Sequence, residues 1–126
     1  MSRNKRRKFE ELKTFSNVFE HNNTDAKKKL KELFKEYDSV VLELGCGKGE
    51  YTVGLAKRYP ESLFLGVDIQ GERIWKGAKK ALEEKIPNAY FLRSQIESVG
   101  EYIPKKSIDE IWITFPDPFP KDRDSK

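Results

Sequence analysis

The stretch that most constrains the fold runs from Ser39 to Asp68. Ser39-Val-Val-Leu-Glu-Leu44 is a short, mostly apolar run that stops at glycines. A strand buried on both faces of a parallel sheet reads this way. Gly45-Cys-Gly47-Lys-Gly49 follows, then a helical stretch from Glu50 to Tyr59 ended by Pro60. A second apolar run, Ser62-Leu-Phe-Leu-Gly-Val67, closes at Asp68. Strand, glycine loop, helix and strand make a βαβ unit, because parallel strands need a long crossover between them.

The rhythm continues to the end of the chain. Gln70 to Lys85 predicts a helix carrying Ile74, Trp75, Ala78, Ala81 and Leu82, stopped by Pro87. Asn88 to Arg93 predicts a third strand, Glu97 to Ile103 a further helix, and Ile108 to Phe115 a fourth strand. Upstream, Leu30, Leu33, Phe34 and Tyr37 fall at i, i+3, i+4 and i+7, one apolar face of a helix. Thr24 and Asp25 stand where side-chain oxygens can cap it. The fold class expected is α/β, with a Rossmann-like parallel sheet.

Composition narrows the function classes. No apolar run approaches the ~20 residues that a membrane span needs. A single cysteine excludes a disulfide framework and a cysteine-rich zinc site, and fits a reducing, cytoplasmic compartment. No metal is expected. The chain has 126 residues and a net charge of +4. Five of its 25 basic residues lie in the first eight positions, leaving 20 against 21 acids in the rest. Residues 1–23 are expected to form a basic, irregular and partly disordered arm. Phe9, Leu12, Phe15, Val18 and Phe19 recur at spacings that let part of it pack or form a short helix. The domain proper is expected to span 24–126. The arm is either a solvated tail or a nucleic-acid contact, since Lys/Arg clusters displace counterions from phosphates.

The loop chemistry is more specific. Glycines permit a tight turn and a close approach of backbone to ligand. The dinucleotide fingerprint needs a small residue one place beyond Gly49, and Glu50 occupies it. A bulky acid there is poor for a pyrophosphate, and Glu43 at the strand's end repels phosphate while attracting an ammonium group. Asp68, 23 residues after Gly45, can accept from both hydroxyls of an unphosphorylated ribose. NAD and S-adenosyl-L-methionine both carry such a ribose. The loop and Glu43 favour the second, which has no phosphate. Cys46 has no partner histidine nearby and reads as a small loop side chain rather than a nucleophile. His21 reads as a surface or cap residue, and Trp75 and Trp112 as packing residues.

The segment after the fourth strand adds a fixed acceptor. Ligands of open α/β sheets bind beyond the carboxyl ends of the strands, where Asp117 falls with Glu43 and Asp68. Pro116, Pro118 and Pro120 fix φ and stiffen the loop around it. Asp117 suits a base bearing N–H groups, Phe119 can lie against a base, and Lys121 and Arg123 can hold phosphate.

Glu43-Leu-Gly-Cys-Gly-Lys-Gly49, Gly66-Val-Asp-Ile-Gln70 and Phe115-Pro-Asp-Pro-Phe-Pro-Lys121 together resemble the bacterial tRNA (guanine-N7)-methyltransferases. The likeness runs from about Val40 to Lys126. Its last motif is the specific one; amino-group methyltransferases usually carry [DN]-P-P-[YF] there. The resemblance implies a class I methyltransferase fold and S-adenosyl-L-methionine as donor, with S-adenosyl-L-homocysteine as product. It implies cofactor binding by Glu43, Gly45, Gly47, Gly49, Asp68, Gln95 and Asp117. It further implies Asp117 at the catalytic centre, tRNA as partner and an RNA contact from Lys121, beside the substrate contacts read above from Arg123 and Phe119. Many relatives have an Asp where Gln95 stands. The implied fold has seven strands and this chain supplies about four, so an incomplete part of the enzyme is expected. Competing readings are a methyltransferase acting on a protein or small molecule, a non-catalytic RNA-binding module that keeps the fold, and, more distantly, an NAD enzyme.

Overall fold

A computed structural model describes residues 3–21, 23–104 and 108–113. Five strands form one parallel sheet: β1 (Val18–Glu20), β2 (Ser39–Leu44), β3 (Ser62–Asp68), β4 (Ala89–Arg93) and β5 (Glu110–Ile113), in the order β1-β4-β3-β2-β5. Helices α1 (Arg3–Leu12), α2 (Ala26–Phe34), α3 (Glu50–Arg58) and α4 (Gly71–Glu83) and a short 3₁₀ helix, Ile96–Glu101, join them.

The strands alternate their side chains between two cores, as the period of two demands. Val41, Phe64, Ala89 and Phe91 pack with α3 and α4 through Val53, Ala56, Ile74, Trp75, Ala78 and Ala81. Val40, Leu42, Leu63, Leu65, Val67 and Leu92 pack on the other face with Leu30, Leu33 and Phe34 of α2. Both faces are covered, which is why β2 and β3 read as unbroken apolar runs. Leu82, placed by periodicity on the buried stripe of α4, is exposed.

The chain winds outward from β2 to β3 and β4, then returns to place β5 on the opposite side of β2. That reversal is the topological switch point, and the crevice beyond the carboxyl ends of β2 and β5 is where such sheets take ligands.

The N-terminal segment corrects the expectation of an irregular arm. Residues 3–12 form α1, and Val18–Glu20 form an edge strand in register with Phe91–Arg93. Leu12 is fully buried, and Phe15 and Val18 pack on the same core, while Phe19 packs on the opposite one. Part of the segment packs and part of it is a short helix, as the spacing of these residues allows, but the spacing runs across two elements. Val18 and Phe19 are strand neighbours facing opposite sides. Asn17 anchors the turn, its Nδ2 donating to the Ala78 carbonyl at 3.1 Å. Leu12→Ala should lower stability by about 2–5 kcal/mol, as core leucine truncations do. A melting curve within a degree or two of wild type would show that the segment is not part of the core.

Three other expectations shift. Neither Thr24 nor Asp25 caps α2 through its side chain; Asn23 Oδ1 accepts from the Asp25 N–H at 2.8 Å instead. The stretch expected as a helix at 97–103 is the 3₁₀ helix. The sheet has five strands among the described residues, because β1 was too short to show an alternating pattern.

Candidate active site

The loop after β2 is a built turn. Gly45, Gly47 and Gly49 have φ of 72°, 56° and 73°, the left-handed region that a side chain resists. The Gly45 and Cys46 amides both donate to the Val67 carbonyl, at 2.8 and 3.0 Å, and fold the loop back over the end of β3. The Gly49 amide donates to the Cys46 carbonyl, and Gly49 then precedes α3.

Asp68 ties this loop to the next one. Its Oδ2 accepts from the Gly47 amide and its Oδ1 from the Gln70 amide, each at 2.9 Å. A carboxylate has about four lone-pair sites, so these two bonds orient the group and leave acceptor capacity for a ligand. Glu43 is buried at the end of β2, where Thr52 Oγ1 donates to its Oε1. Glu50 lies in the first turn of α3. A carboxylate there complements the helix dipole and disfavours a phosphate. The edge thus presents Glu43, Asp68 and Glu50 and favours a cationic or neutral ligand.

Cys46 is buried beside these acids. Desolvation raises its thiol pKa well above the ordinary value, and the charges of Glu43 and Asp68 raise it further. It is a filler, as the sequence reading has it. Trp75 is a packing residue too, with its Nε1 donating to Glu11 Oε1 at 2.7 Å and so joining α4 to α1. Trp112, on β5 at the edge of the described sheet, is exposed rather than packed, with its Nε1 donating to Glu110 Oε1 at 2.8 Å. His21 accepts the Tyr102 hydroxyl at its carbonyl, and its own amide donates to the Arg93 carbonyl.

Of the residues singled out in the sequence, Glu43, Gly45, Gly47, Gly49 and Asp68 come together at the carboxyl ends of β2 and β3. Gln95 follows β4 on the same edge, exposed, with its backbone starting the 3₁₀ helix. Asp117, Phe119, Lys121 and Arg123 lie outside the described residues. Two supporting residues escaped the sequence reading. Thr52 holds Glu43, and its only signal in the sequence was its place four residues before Ala56, on the face of α3 that is buried. Gly77 lets α4 approach the loop: a Cβ there would sit 2.6 Å from the Lys48 carbonyl oxygen and 3.2 Å from Gly49 Cα. A glycine inside a helix costs about 1 kcal/mol, and that cost was the available clue.

Comparisons with known proteins place the chain among methyltransferases. A family model described as "Putative methyltransferase" matches residues 37–126. A tRNA (guanine-N(7)-)-methyltransferase of Christiangramia forsetii is 46% identical over 125 residues, covering 93% of this chain and 56% of the relative. One of Porphyromonas gingivalis is 53% identical over 87 residues, covering 69% of this chain and 36% of the relative. Among solved structures, a 30S ribosomal A1408 methyltransferase from an uncultured bacterium superposes with a TM-score of 0.61 at 28% identity, covering 79% of this chain and 48% of that one. The chain spans about half the length of the curated relatives it matches. It belongs to the methyltransferase family that this model describes, and relatives that follow it along most of its length are named tRNA (guanine-N(7)-)-methyltransferase.

Proposed function

We propose that this chain forms the cofactor-binding part of an enzyme that methylates N7 of a guanine in the variable loop of tRNA, with S-adenosyl-L-methionine as donor. The observation that carries the donor assignment is the Asp68 carboxylate, fixed by the Gly47 and Gln70 amides at the switch point beside buried Glu43. The residues fit the group. A Cβ built at Gly47 meets nothing within 4 Å, so the space over the loop is open. Asp68 keeps free lone pairs for the ribose hydroxyls. Glu43 offers negative charge to the ammonium of the methionine part. No pyrophosphate is needed, and Glu50 disfavours one.

Bound there, S-adenosyl-L-methionine supplies an electrophilic methyl group and leaves as S-adenosyl-L-homocysteine. Guanine N7 has a lone pair and no proton, so no residue need deprotonate it first. The protein's part is placement of N7 in line with the methyl group and stabilisation of charge moving onto the base. In this reading Asp117 orients the guanine through its N–H edge and offsets that charge. Phe119 lies against the base, Lys121 and Arg123 hold phosphate, and Gln95 bonds the adenine end of the donor. Identity with relatives named for this activity supports the substrate.

The test is mass spectrometry of tRNA after incubation of the full-length protein with labelled S-adenosyl-L-methionine. Label in 7-methylguanosine is expected. Asp117→Ala should abolish the label and leave tRNA binding in place. Label in protein only, or tRNA binding with no label at all from the wild-type enzyme, would overturn the proposal.

A further inference from the structure

We propose that one flank of α2 is a docking surface for the phosphate backbone of the RNA substrate. This rests on the tRNA reading above and adds a surface that the basic N-terminus and the segment after β5 do not supply. The helix buries Ala26, Leu30, Leu33 and Phe34. At 3.6 residues per turn, Lys27, Lys31, Lys35 and Lys28 then fall within an arc of about 100° on its open side. The acids Glu32 and Glu36 lie beyond that arc, together with Lys29. All four flank lysines are exposed. None forms an ion pair among the described residues.

Neighbour pairs along the flank are costly for the isolated helix, a cost offset in part by Lys28–Glu32 at i, i+4, by Glu32–Lys35 at i, i+3 and by the place of Lys31 in the last turn. Lys27–Lys31 and Lys31–Lys35 are like-charge pairs at i, i+4, and Lys28–Lys31 at i, i+3. Lys27 and Lys28 also sit in the first turn, at the positive end of the dipole, where no acid is present. A surface helix under selection for stability alone would interleave these charges with acids, as the opposite flank of α2 does. An anion lying along the flank reverses the sign of each term.

The position suits a substrate that also reaches the site. β1 ends at the carboxyl edge of the sheet, where the His21 amide meets the Arg93 carbonyl, and α2 starts three residues after Asn23. The helix then runs down the sheet face to the start of β2. The lysine flank therefore begins at the edge that carries Asp68 and leads away from it. The first helix is less free to do this. Lys5 and Lys8 each lie 3.8 Å from Glu72, and Lys8 and Arg7 also lie over the Trp75 ring.

The salt dependence of tRNA binding tests the proposal. In the full-length protein, Lys27→Gln/Lys31→Gln/Lys35→Gln should make the slope of log K against log[salt] shallower by about 2, at roughly 0.7–0.9 per phosphate contact. Affinity for unfractionated tRNA at low salt should fall at least tenfold. The triple Arg variant should keep the wild-type slope, and Lys29→Gln should leave it nearly unchanged. Affinity for S-adenosyl-L-homocysteine should hold for all of them, and melting temperature should not fall in any, the triple Gln variant rising slightly as its like-charge pairs are removed. An unchanged slope in the triple Gln variant overturns this surface while the tRNA reading stands. No tRNA binding by the wild-type protein overturns both.

Discussion

Asp68→Ala is expected to reduce affinity for S-adenosyl-L-homocysteine by at least about 100-fold. Two losses combine. The carboxylate makes two bonds to ribose hydroxyls in the proposed complex, and bonds to a charged acceptor contribute about 1.5–3 kcal/mol each. That alone gives roughly 3–6 kcal/mol, or two to four decades in Kd. The same carboxylate also fixes the Gly47 and Gln70 amides. Removing it frees both turns, so the ordering of the glycine loop must be supplied when the ligand binds. Asp68→Asn separates the two effects only in part. Its amide nitrogen cannot accept, so one of the two backbone N–H groups loses its partner and one ribose contact changes sign. Titration calorimetry should rank wild type far above Asn, with Ala at or below Asn. An Ala variant within threefold of wild type would sink the assignment of Asp68 to the ribose. Glu43→Gln offers a second reading: its amide oxygen can still accept from Thr52 Oγ1, while the charge offered to the ammonium group is lost and the other carboxylate oxygen becomes an N–H donor.

The parts of the fold legible in the sequence are those whose physics is local. Ser39–Leu44 and Ser62–Asp68 match their predicted strands because strands covered on both faces have no reason to alternate. The α4 helix was legible through its apolar stripe and Pro87. What was not legible depended on distant partners. β1 is three residues long and exists because β4 offers it an edge. The first helix looks like a solvated basic tail until Glu72, Trp75 and Gly71 are brought beneath it. Phe9 shows this: its Cε1 lies 2.6 Å from where a Cβ on Gly71 would stand. The site divides in the same way. Glu43, the glycines and Asp68 form a pattern with a fixed spacing, so one βαβ unit reveals them. Thr52 and Gly77 matter only through what they touch across the fold.

The two outer glycines of the loop's second half give the clearest contrast between folding and binding. Gly49→Ala is expected to cost about 2–5 kcal/mol of stability. The residue sits at φ +73°, where an alanine loses roughly 1–2 kcal/mol on backbone grounds alone. Its Cβ would lie 2.7 and 2.9 Å from Cε1 and Cζ of Phe91, a fully buried ring. That ring cannot withdraw toward α4, because Gly77 already yields its own Cβ space to it. Overpacking of this kind adds about 1–3 kcal/mol. A fall in melting temperature of roughly 10 °C or more should follow. Gly47→Ala meets the backbone term at φ +56° but nothing within 4 Å. It should melt only a few degrees lower. Its methyl group points instead into the open space assigned to the donor, so its affinity for S-adenosyl-L-homocysteine should fall more than its stability does. Phe91→Leu should recover part of the loss in Gly49→Ala, because the two side chains contend for one volume and their effects are not additive. Equal melting temperatures for the two alanine variants would mean that the Gly49–Phe91–Gly77 contact does not limit the loop. The loop's shape would then be set by the Asp68 and Val67 hydrogen bonds alone.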